Sequence, residues 1–189
     1  MYATLLADAR FHDLLLAADR DPAEACRTEG CACGGPRHMA RYARKPRGRP
    51  CRLGPEHDQR FSFCCAVDGC RSRATPPSLR FLGRRVYVAT VVVLIAILRD
   101  GVSDARLERL REVVSVDRRT IARWRRWWRD TFTATRFWRA ARASFMPPPD
   151  GMQLPAALID RFSGDAQDRL VALLRFLGPV TGGSRMRAF

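Results

Sequence analysis

Seven cysteines carry the clearest chemical signal in this chain, and none of them lies beyond residue 70. They form two groups, CACGG starting at Cys31 and FSFCCAVDGC ending at Cys70, with further cysteines nearby. Two cysteine pairs, each beside a turn glycine, resemble a zinc ribbon. Thiolate sulfur suits tetrahedral zinc, and a closed site replaces the hydrophobic core that so short a segment lacks. The cysteines therefore predict a structural Zn²⁺ site.

The four ligands that we expect for Zn²⁺ are Cys31, Cys33, Cys65 and Cys70. Their spacing is irregular, because one residue separates the first pair and four separate the second. A standard ribbon has two residues between paired cysteines. The sequence therefore leaves four substitutes open, since Cys64 can replace Cys65, His38 can replace either member of the first pair, and Cys26 or Cys51 can join the set. The remaining alternative is a group of free thiols.

A basic loop rich in proline and glycine separates the two cysteine groups. Residues 41–52 hold five arginines, one lysine and no acid, and the prolines and glycines exclude a helix. Six like charges repel one another unless a partner neutralises them. The loop is therefore interpreted as an arm on DNA phosphates or in a minor groove, with a solvated loop as the alternative. Its DNA-binding residues are Arg44, Lys45, Arg47 and Arg49.

The second chemical signal is the arginine–tryptophan segment VDRRTIARWRRWWRD, residues 116–130. With residues 106–115 it predicts a helix, a tight turn and a second helix. At about 100° per residue, Ile121, Trp124 and Trp128 share one face of that second helix, with Thr120 and Trp127 at its edge. The opposite face and the flanks of the helix carry arginines, with Arg119, Arg123 and Arg126 opposite and Arg118, Arg125 and Arg129 beside the apolar side.

This distribution indicates a helix that packs into a core and lays arginines on nucleic acid. Arginine bound to guanine is the commonest specific contact in the major groove. We expect Arg118, Arg119 and Arg123 to read bases and Arg126 and Arg129 to touch phosphates. A solvated face is the alternative, but nine arginines and one acid lie between residues 118 and 142.

Charge and apolar patterns place these motifs in a mainly helical protein. The net charge of +15, from 34 basic and 19 acidic residues, favours a polyanionic partner. Nearly all of the basic residues are arginine, which a GC-rich genome also produces, but genome composition does not explain their clustering.

The apolar run of residues 86–98 is too short to span a bilayer and predicts a buried helix, although its β-branched residues also suit a strand. With no signal peptide visible, we expect a cytoplasmic, nucleoid-associated protein with reduced cysteines.

The elements that position the motifs follow from periodicity and capping residues. We expect an N-terminal amphipathic helix with Leu14 among its apolar residues, a helix from residue 84 or 85 to 99, and helices starting after Ser103 and Asp117. The apolar face of the helix after Ser103 holds Leu107, Leu110 and Val114. Residues 154–162 and 165–177 predict two C-terminal helices, the second with Leu170, Leu173, Leu174 and Leu177 on its apolar side. The tail, residues 181–189, is predicted to be disordered.

The predicted fold is a small N-terminal zinc-ribbon-like β module, in which residues 60–65 form a strand, followed by a three-helix helix-turn-helix domain and C-terminal helices. The boundaries that we expect are 1–25 for the N-terminal helix, 26–78 for the ribbon module with its basic loop, 79–145 for the helix-turn-helix domain, and 146–189 for the C-terminal helices and tail.

The order of these parts resembles bacterial mobile-element proteins. VVSVDRRTIARWRRWW is similar to the helix-turn-helix of insertion-sequence transposases and their accessory proteins. CACGGPRHMARYARKPRG followed by FSFCCAVDGCRSRATPPSLRFLGRRVY looks like the zinc-binding part of transposon-associated proteins. The resemblance covers roughly residues 30 to 140, and it departs from the pattern in the cysteine spacing and in Ser115, where many such turns have glycine.

The resemblance implies a non-catalytic protein that recognises transposon-end or target DNA for a separate transposase or recombinase subunit. Transposase catalysis uses three carboxylates on a mixed sheet to hold two metal ions, and the helical pattern after residue 82 leaves no room for that sheet. A zinc hydrolase is disfavoured because catalytic zinc keeps an open position. The alternatives are a helix-turn-helix transcription regulator and an RNA-binding zinc-ribbon protein, and a homo-oligomer stays open.

Overall fold

A computed structural model describes residues 2–40, 50, 52–82, 87, 89–100, 103–114 and 117–182. The chain is mainly helical and has one small antiparallel sheet of three strands, as the sequence predicted at this level. The finer identification of a zinc ribbon and a helix-turn-helix stays a prediction.

The N-terminal segment folds as three short helices in place of the single helix predicted. They are α1 (Tyr2–Ala7), α2 (Ala9–Ala18) and α3 (Arg20–Thr28). Asp8 separates the first two, because its side chain accepts a hydrogen bond from the Arg10 N–H at 3.0 Å and so begins a new helix. Leu6, Phe11 and Leu15 are buried, whereas Leu14 is 43% exposed. The break turns the apolar residues of α1 and α2 toward one core.

The sheet brings the two cysteine groups together. Its strands are β1 (Arg37–Met39), β2 (Phe63–Cys65) and β3 (Arg73–Ala74), in the order β1-β2-β3 with both pairs antiparallel. The register places Arg37 opposite Cys65 and Met39 opposite Phe63. All three residues of β2 are buried, as expected for the middle strand. The predicted strand leading into the second cysteine group is thus present over its last three residues.

The remaining helices build the rest of the molecule. They are α4 (Ala89–Asp100), α5 (Asp104–Val114), α6 (Arg118–Arg126), α7 (Arg136–Ala141), α8 (Ala156–Ile159), α9 (Ala166–Phe176) and α10 (Gly178–Thr181). The predicted turns at residues 101–102 and 115–116 lie outside the described residues, as does the side chain of Leu110. Leu107 and Val114 are buried, as predicted for the inner face of α5.

Helix α4 is the centre of the fold. Val91, Val92, Val93, Leu94 and Ile95 are all fully buried, because α1, α6 and α8 pack around the helix. Complete burial lets a run of β-branched residues stay helical, since its neighbours satisfy every apolar face. The prediction of a buried helix rather than a strand is confirmed. No helix in the described ranges combines the length and the hydropathy needed to cross a membrane.

Both C-terminal helices are shorter than the predicted ranges 154–162 and 165–177. Only Ala156–Ile159 is α-helical in the first predicted helix, and turns flank it. Helix α9 starts at a capping box in which Asp165 and Asp168 exchange hydrogen bonds with each other's backbone. Its predicted apolar side is confirmed, because Leu170, Leu173, Leu174 and Leu177 are all buried.

The predicted disordered tail is wrong at its first residue, Thr181. This residue is 5% exposed and ends α10, where its hydroxyl accepts a hydrogen bond from the Ser78 N–H at 2.8 Å. Its backbone carbonyl also accepts one from Arg60. Residues 183–189 lie outside the description. These hydrogen bonds hold α10 against Arg60 and the segment that follows the sheet.

A buried ion pair joins the N-terminal helices to that same segment. Arg80 and Asp19 are 0% and 1% exposed, and the Arg80 Nε lies 2.8 Å from a carboxylate oxygen of Asp19. Asp19 also accepts hydrogen bonds from the Ser78 hydroxyl and the Leu79 N–H, each at 2.6 Å. These bonds offset part of the cost of burying both charges. One continuous core therefore runs from Tyr2 to Leu177.

Candidate metal centre and nucleic-acid interface

The first cysteine pair sits on a tight turn between α3 and β1. The Cys31 N–H donates to the Gly35 carbonyl at 2.9 Å, and the Gly34 N–H donates to the Cys31 carbonyl at 2.8 Å. Gly34 has a φ of 82°, in the left-handed region that glycine adopts without steric cost. This turn brings the sulfurs of Cys31 and Cys33 to the same side of the loop.

The second pair brackets a turn that follows β2. Cys65 ends the strand, and Gly69, with a φ of 85°, reverses the chain so that the Cys70 N–H donates to the Val67 carbonyl at 3.2 Å. The Val67 N–H in turn donates to the Cys65 sulfur at 3.4 Å. Four intervening residues thus bring this pair of sulfurs together, although a standard ribbon uses two.

The four cysteine sulfurs converge on one point. The Sγ atoms of Cys31, Cys33, Cys65 and Cys70 all lie within 4.8 Å of one another. The distance from Cys31 Sγ to Cys70 Sγ is 3.7 Å, and that from Cys33 Sγ to Cys65 Sγ is 3.5 Å. Sulfurs at the corners of a tetrahedron around zinc, with Zn–S bonds of about 2.3 Å, lie about 3.8 Å apart. The predicted four cysteines can therefore hold a metal ion.

The structure also decides among the substitutes that the sequence left open. Successive side chains of a strand point to opposite faces, so Cys64 points away from Cys65, and its sulfur contacts the Arg71 carbonyl at 3.6 Å. His38 is exposed on β1 and does not join the cluster. The Cys26 sulfur lies 3.3 Å from the Arg37 guanidinium, and Cys51 falls outside the described residues. Within the described part of the chain, no other group of three or more histidines, cysteines and acids meets this geometry.

At Gly35 the backbone passes close to two of the sulfurs. A Cβ atom on this residue would lie 3.1 Å from the Cys65 sulfur, 3.4 Å from the Cys33 sulfur and 2.3 Å from a methyl group of Val67. The absence of a side chain here lets the first turn approach the second closely enough for the four sulfurs to meet.

The environment of the thiols separates their acidities. The Cys33 backbone N–H, with smaller contributions from the neighbouring thiols, lowers the pKa of Cys31 to about 6. The Val67 N–H favours the thiolate of Cys65, but burial and hydrogen bonds from the other thiols outweigh it and raise the pKa to about 12. Four adjacent thiols cannot all ionise alone, whereas a bound cation compensates four thiolates together. This pattern is typical of a metal-binding cluster.

The arginine–tryptophan helix begins where the sequence predicted. The Asp117 carboxylate accepts a hydrogen bond from the Thr120 N–H at 2.6 Å, and this bond lowers the pKa of Asp117. Ile121, Trp124 and Trp128 are 5%, 8% and 1% exposed, so the predicted inner face is confirmed.

The helix does not continue as a regular α-helix to residue 130. Trp127–Phe132 winds as a wider π-helical turn. An α-helix drifts by about 40° over four residues, and the wider winding reverses this drift. Trp124, Trp128 and Phe132 therefore all point into the core, and the ring centroids of Trp128 and Phe132 lie 4.6 Å apart.

The predicted DNA-contacting arginines of this helix are all exposed, but they differ in their partners. Arg118 pairs with Asp104 of α5, and the Arg129 Nε lies 2.6 Å from a carboxylate oxygen of Asp130. Arg123 reaches the Thr120 hydroxyl at 3.4 Å. Among the arginines of this helix, Arg119, Arg125 and Arg126 have no hydrogen-bond or ion-pair partner in the part of the chain that the structure describes. The predicted arm residues Arg44, Lys45, Arg47 and Arg49 lie outside the described residues.

A buried histidine on α2 is not apparent from the sequence. His12 is 0% exposed, its Nε2 donates to the Leu6 carbonyl at 3.1 Å, and its Nδ1 accepts from the Tyr87 hydroxyl at 3.1 Å. Burial lowers the pKa of His12, and the nearby His57 ring also lowers it. No local pattern could reveal this role, because Tyr87 lies 75 residues away along the chain.

Comparison of this chain with protein-family models, curated proteins and solved structures finds no match.

Proposed function

We propose that this protein is a zinc-containing, double-stranded DNA-binding protein in which the four-cysteine cluster holds a structural Zn²⁺ and α6 contacts the duplex. The observation that carries the proposal is the surface of α6. Tryptophans anchor the helix in the core, and Arg119, Arg125 and Arg126 extend outward with no partner in the described chain. Such exposed guanidinium groups on a helix held in the core match the phosphates and guanine edges of DNA.

Zinc is the metal that best fits the cluster. The donor set is four sulfurs at near-tetrahedral separations, and soft thiolates with that geometry favour Zn²⁺. Bound zinc would stabilise the short sheet electrostatically and leave no open position for a substrate. Elemental analysis of the purified protein should give one equivalent of zinc per chain, and protein that folds normally without metal would contradict this assignment.

Duplex DNA is favoured over structured RNA by the shape of the arginine surface. The major groove of B-DNA is about 12 Å wide and admits an α-helix, whereas the major groove of A-form RNA is deep and narrow. Helices α5 and α6 would act as a helix-turn-helix, with Arg118, Arg119 and Arg123 at the start of α6 nearest the bases. Arg118 can exchange Asp104 for DNA because both side chains are largely exposed, and exposed ion pairs contribute little stability.

Selection from a random duplex library, run beside total cellular RNA, tests this proposal. We expect a short DNA motif to be enriched. Replacing Arg119 or Arg123 by alanine should weaken binding to that motif by roughly 1–3 kcal/mol and relax the preference at one base pair. Arg175→Ala, on the exposed side of α9, is the control. Preferential recovery of RNA, or binding that is insensitive to salt, would overturn the proposal.

The resemblance to transposon-associated proteins extends the proposal to a role in DNA transposition. In that role the protein would recognise transposon-end or target DNA and leave cutting and joining to a separate recombinase. Co-purification with a carboxylate-triad recombinase on the selected DNA tests this extension. Binding at a promoter without such a partner would instead indicate a transcription regulator.

A further inference from the structure

We propose that α7 carries a second DNA-contacting surface, which binds phosphates without reading sequence. This α7 arginine surface consists of Arg136, Arg139 and Arg142, all exposed. The inference rests on the proposed DNA-binding function and adds a site to it. It differs from the α6 surface in both location and expected role.

The core holds α7 in one orientation. Trp138 is 3% exposed, and its ring centroid lies 5.3 Å from that of Phe132. The Thr135 hydroxyl caps the helix by accepting a hydrogen bond from the Trp138 N–H at 3.1 Å. Arg136 and Arg139 lie on the exposed part of this helix, and Arg142 is the exposed C-cap residue that ends it.

Two of the three arginines, Arg139 and Arg142, have no acidic partner in the described part of the chain. No acidic residue occurs between Asp130 and Asp150 in the sequence. Asp130 is paired with Arg129, and Asp150 accepts a hydrogen bond from the Met152 N–H at 2.9 Å. Among the residues that the structure describes, Arg139 and Arg142 have no partner. By contrast, Arg169 of α9 donates to the Gly164 carbonyl at 2.9 Å.

The small neighbours of these arginines point to a phosphate ligand. Ala140, Ala143 and Ser144 are exposed between and beside them, so nothing large prevents a sugar–phosphate backbone from approaching. No exposed residue between Arg136 and Ser144 carries an aromatic ring for stacking on a base or an amide for pairing with adenine. Guanidinium groups alone favour phosphate oxygens, which position a protein on DNA without carrying sequence information.

Helix α7 packs against the π-helical turn that follows α6. Trp128 and Phe132 of that turn and Trp138 of α7 form one ring cluster, with centroid distances of 4.6 Å and 5.3 Å. Because the turn continues from α6, two arginine surfaces held in this way would fix the orientation of the protein on the duplex. The α7 contact would thus complement base reading by α6.

The salt dependence of binding tests the inference. The variant Arg139→Gln/Arg142→Gln would be compared with wild type on the selected duplex and on an unrelated duplex, across a range of salt concentrations. Each lost phosphate contact lowers the slope of log affinity against log salt by about 0.9. We therefore expect the slope to fall by about 2, with binding to both duplexes weakened equally.

The variant Arg20→Gln/Arg175→Gln is the matched control, because it removes two exposed positive charges elsewhere. It should keep the wild-type slope. A slope in the α7 variant equal to that of the control would overturn the inference, and so would a changed base preference. Failure of wild-type protein to bind any duplex would instead overturn the proposed function itself. Thermal unfolding of both variants, whose altered side chains are all exposed, verifies that they fold.

Discussion

At the scale of single residues, the contrast between two adjacent cysteines is the sharpest feature of the cluster. Cys65 and Cys64 are neighbours on β2, both buried, yet only Cys65 joins the four sulfurs. The pleat of the strand causes this difference, because it turns successive side chains to opposite faces. The binding of a metal ion should therefore depend on Cys65 and not on Cys64, although the two residues are chemically identical and adjacent in sequence.

Replacing each of these cysteines by serine tests that distinction. We expect Cys65→Ser to lose most of its bound zinc, because three sulfurs and a hydroxyl make a poor structural zinc site. Cys64→Ser should retain one equivalent. Zinc would be quantified after gel filtration by elemental analysis. Equal zinc content in the two variants would show that the ligands have been assigned wrongly.

The burial of His12 predicts that the stability of the protein depends on pH, and a single variant tests this. Its pKa is lowered in the folded protein by burial, so below pH 6.5 the unfolded chain binds a proton that the folded chain does not. Stability therefore falls as the pH drops from the unfolded value of about 6.5 toward the folded pKa, by at most about 1.36 kcal/mol per pH unit.

Denaturant unfolding at pH 7.5 and pH 5.5 measures this loss. The wild type should lose more stability between the two values than His12→Gln, which cannot take up the proton. The exposed His38 provides the control, and His38→Gln should behave like the wild type. The groups that face His12 are His57, Asp13 and Asp8, and their charges are common to all three proteins. A His12→Gln variant as pH-sensitive as the wild type would contradict the argument.

At the scale of secondary structure, the start of α6 depends on one side chain. Asp117 satisfies the Thr120 N–H, which has no partner within the helix. Asp117→Ala should lower the denaturation midpoint and weaken DNA binding, because the first turn of α6 frays. Asp117→Asn keeps a capping oxygen and should stay close to wild type in stability. Circular dichroism during denaturation measures the midpoint, and an unchanged midpoint for Asp117→Ala would count against this capping role.

Helix α6 and the turn after it show how much of the structure periodicity alone can predict. The burial of Ile121, Trp124 and Trp128 follows from a spacing of about 100° per residue. The π-helical turn does not follow from that spacing, because it forms to keep Phe132 in the same core. Periodicity also does not predict which arginines form ion pairs, since Arg118 pairs with Asp104 on the preceding helix.

At the scale of the whole molecule, the Asp19–Arg80 pair connects parts that are distant in sequence. Removing one partner from a buried ion pair leaves an uncompensated charge, which typically costs about 3–5 kcal/mol. We expect Arg80→Met to lower the free energy of unfolding by about that amount, a large share of the 5–15 kcal/mol of a typical domain.

Arg20→Met serves as the control for this change. Arg20 is exposed and adjacent to Asp19 in sequence, and its replacement should alter stability by less than about 0.5 kcal/mol. Urea denaturation at a fixed pH measures both variants. Similar values for the two would mean that the buried pair contributes little to holding the N-terminal helices on the segment after the sheet.

Local sequence patterns were sufficient to predict the helical character of the chain, a cysteine cluster that could hold a metal ion and the inner face of α6. Each can be predicted from the spacing of nearby residues, because turns and helical periodicity involve only a few residues. Tertiary structure alone decided which of Cys64 and Cys65 faces the cluster, because that depends on strand register. It also decided the burial of Asp19, Arg80 and His12, since their partners lie 61 and 75 residues away and no local pattern records them.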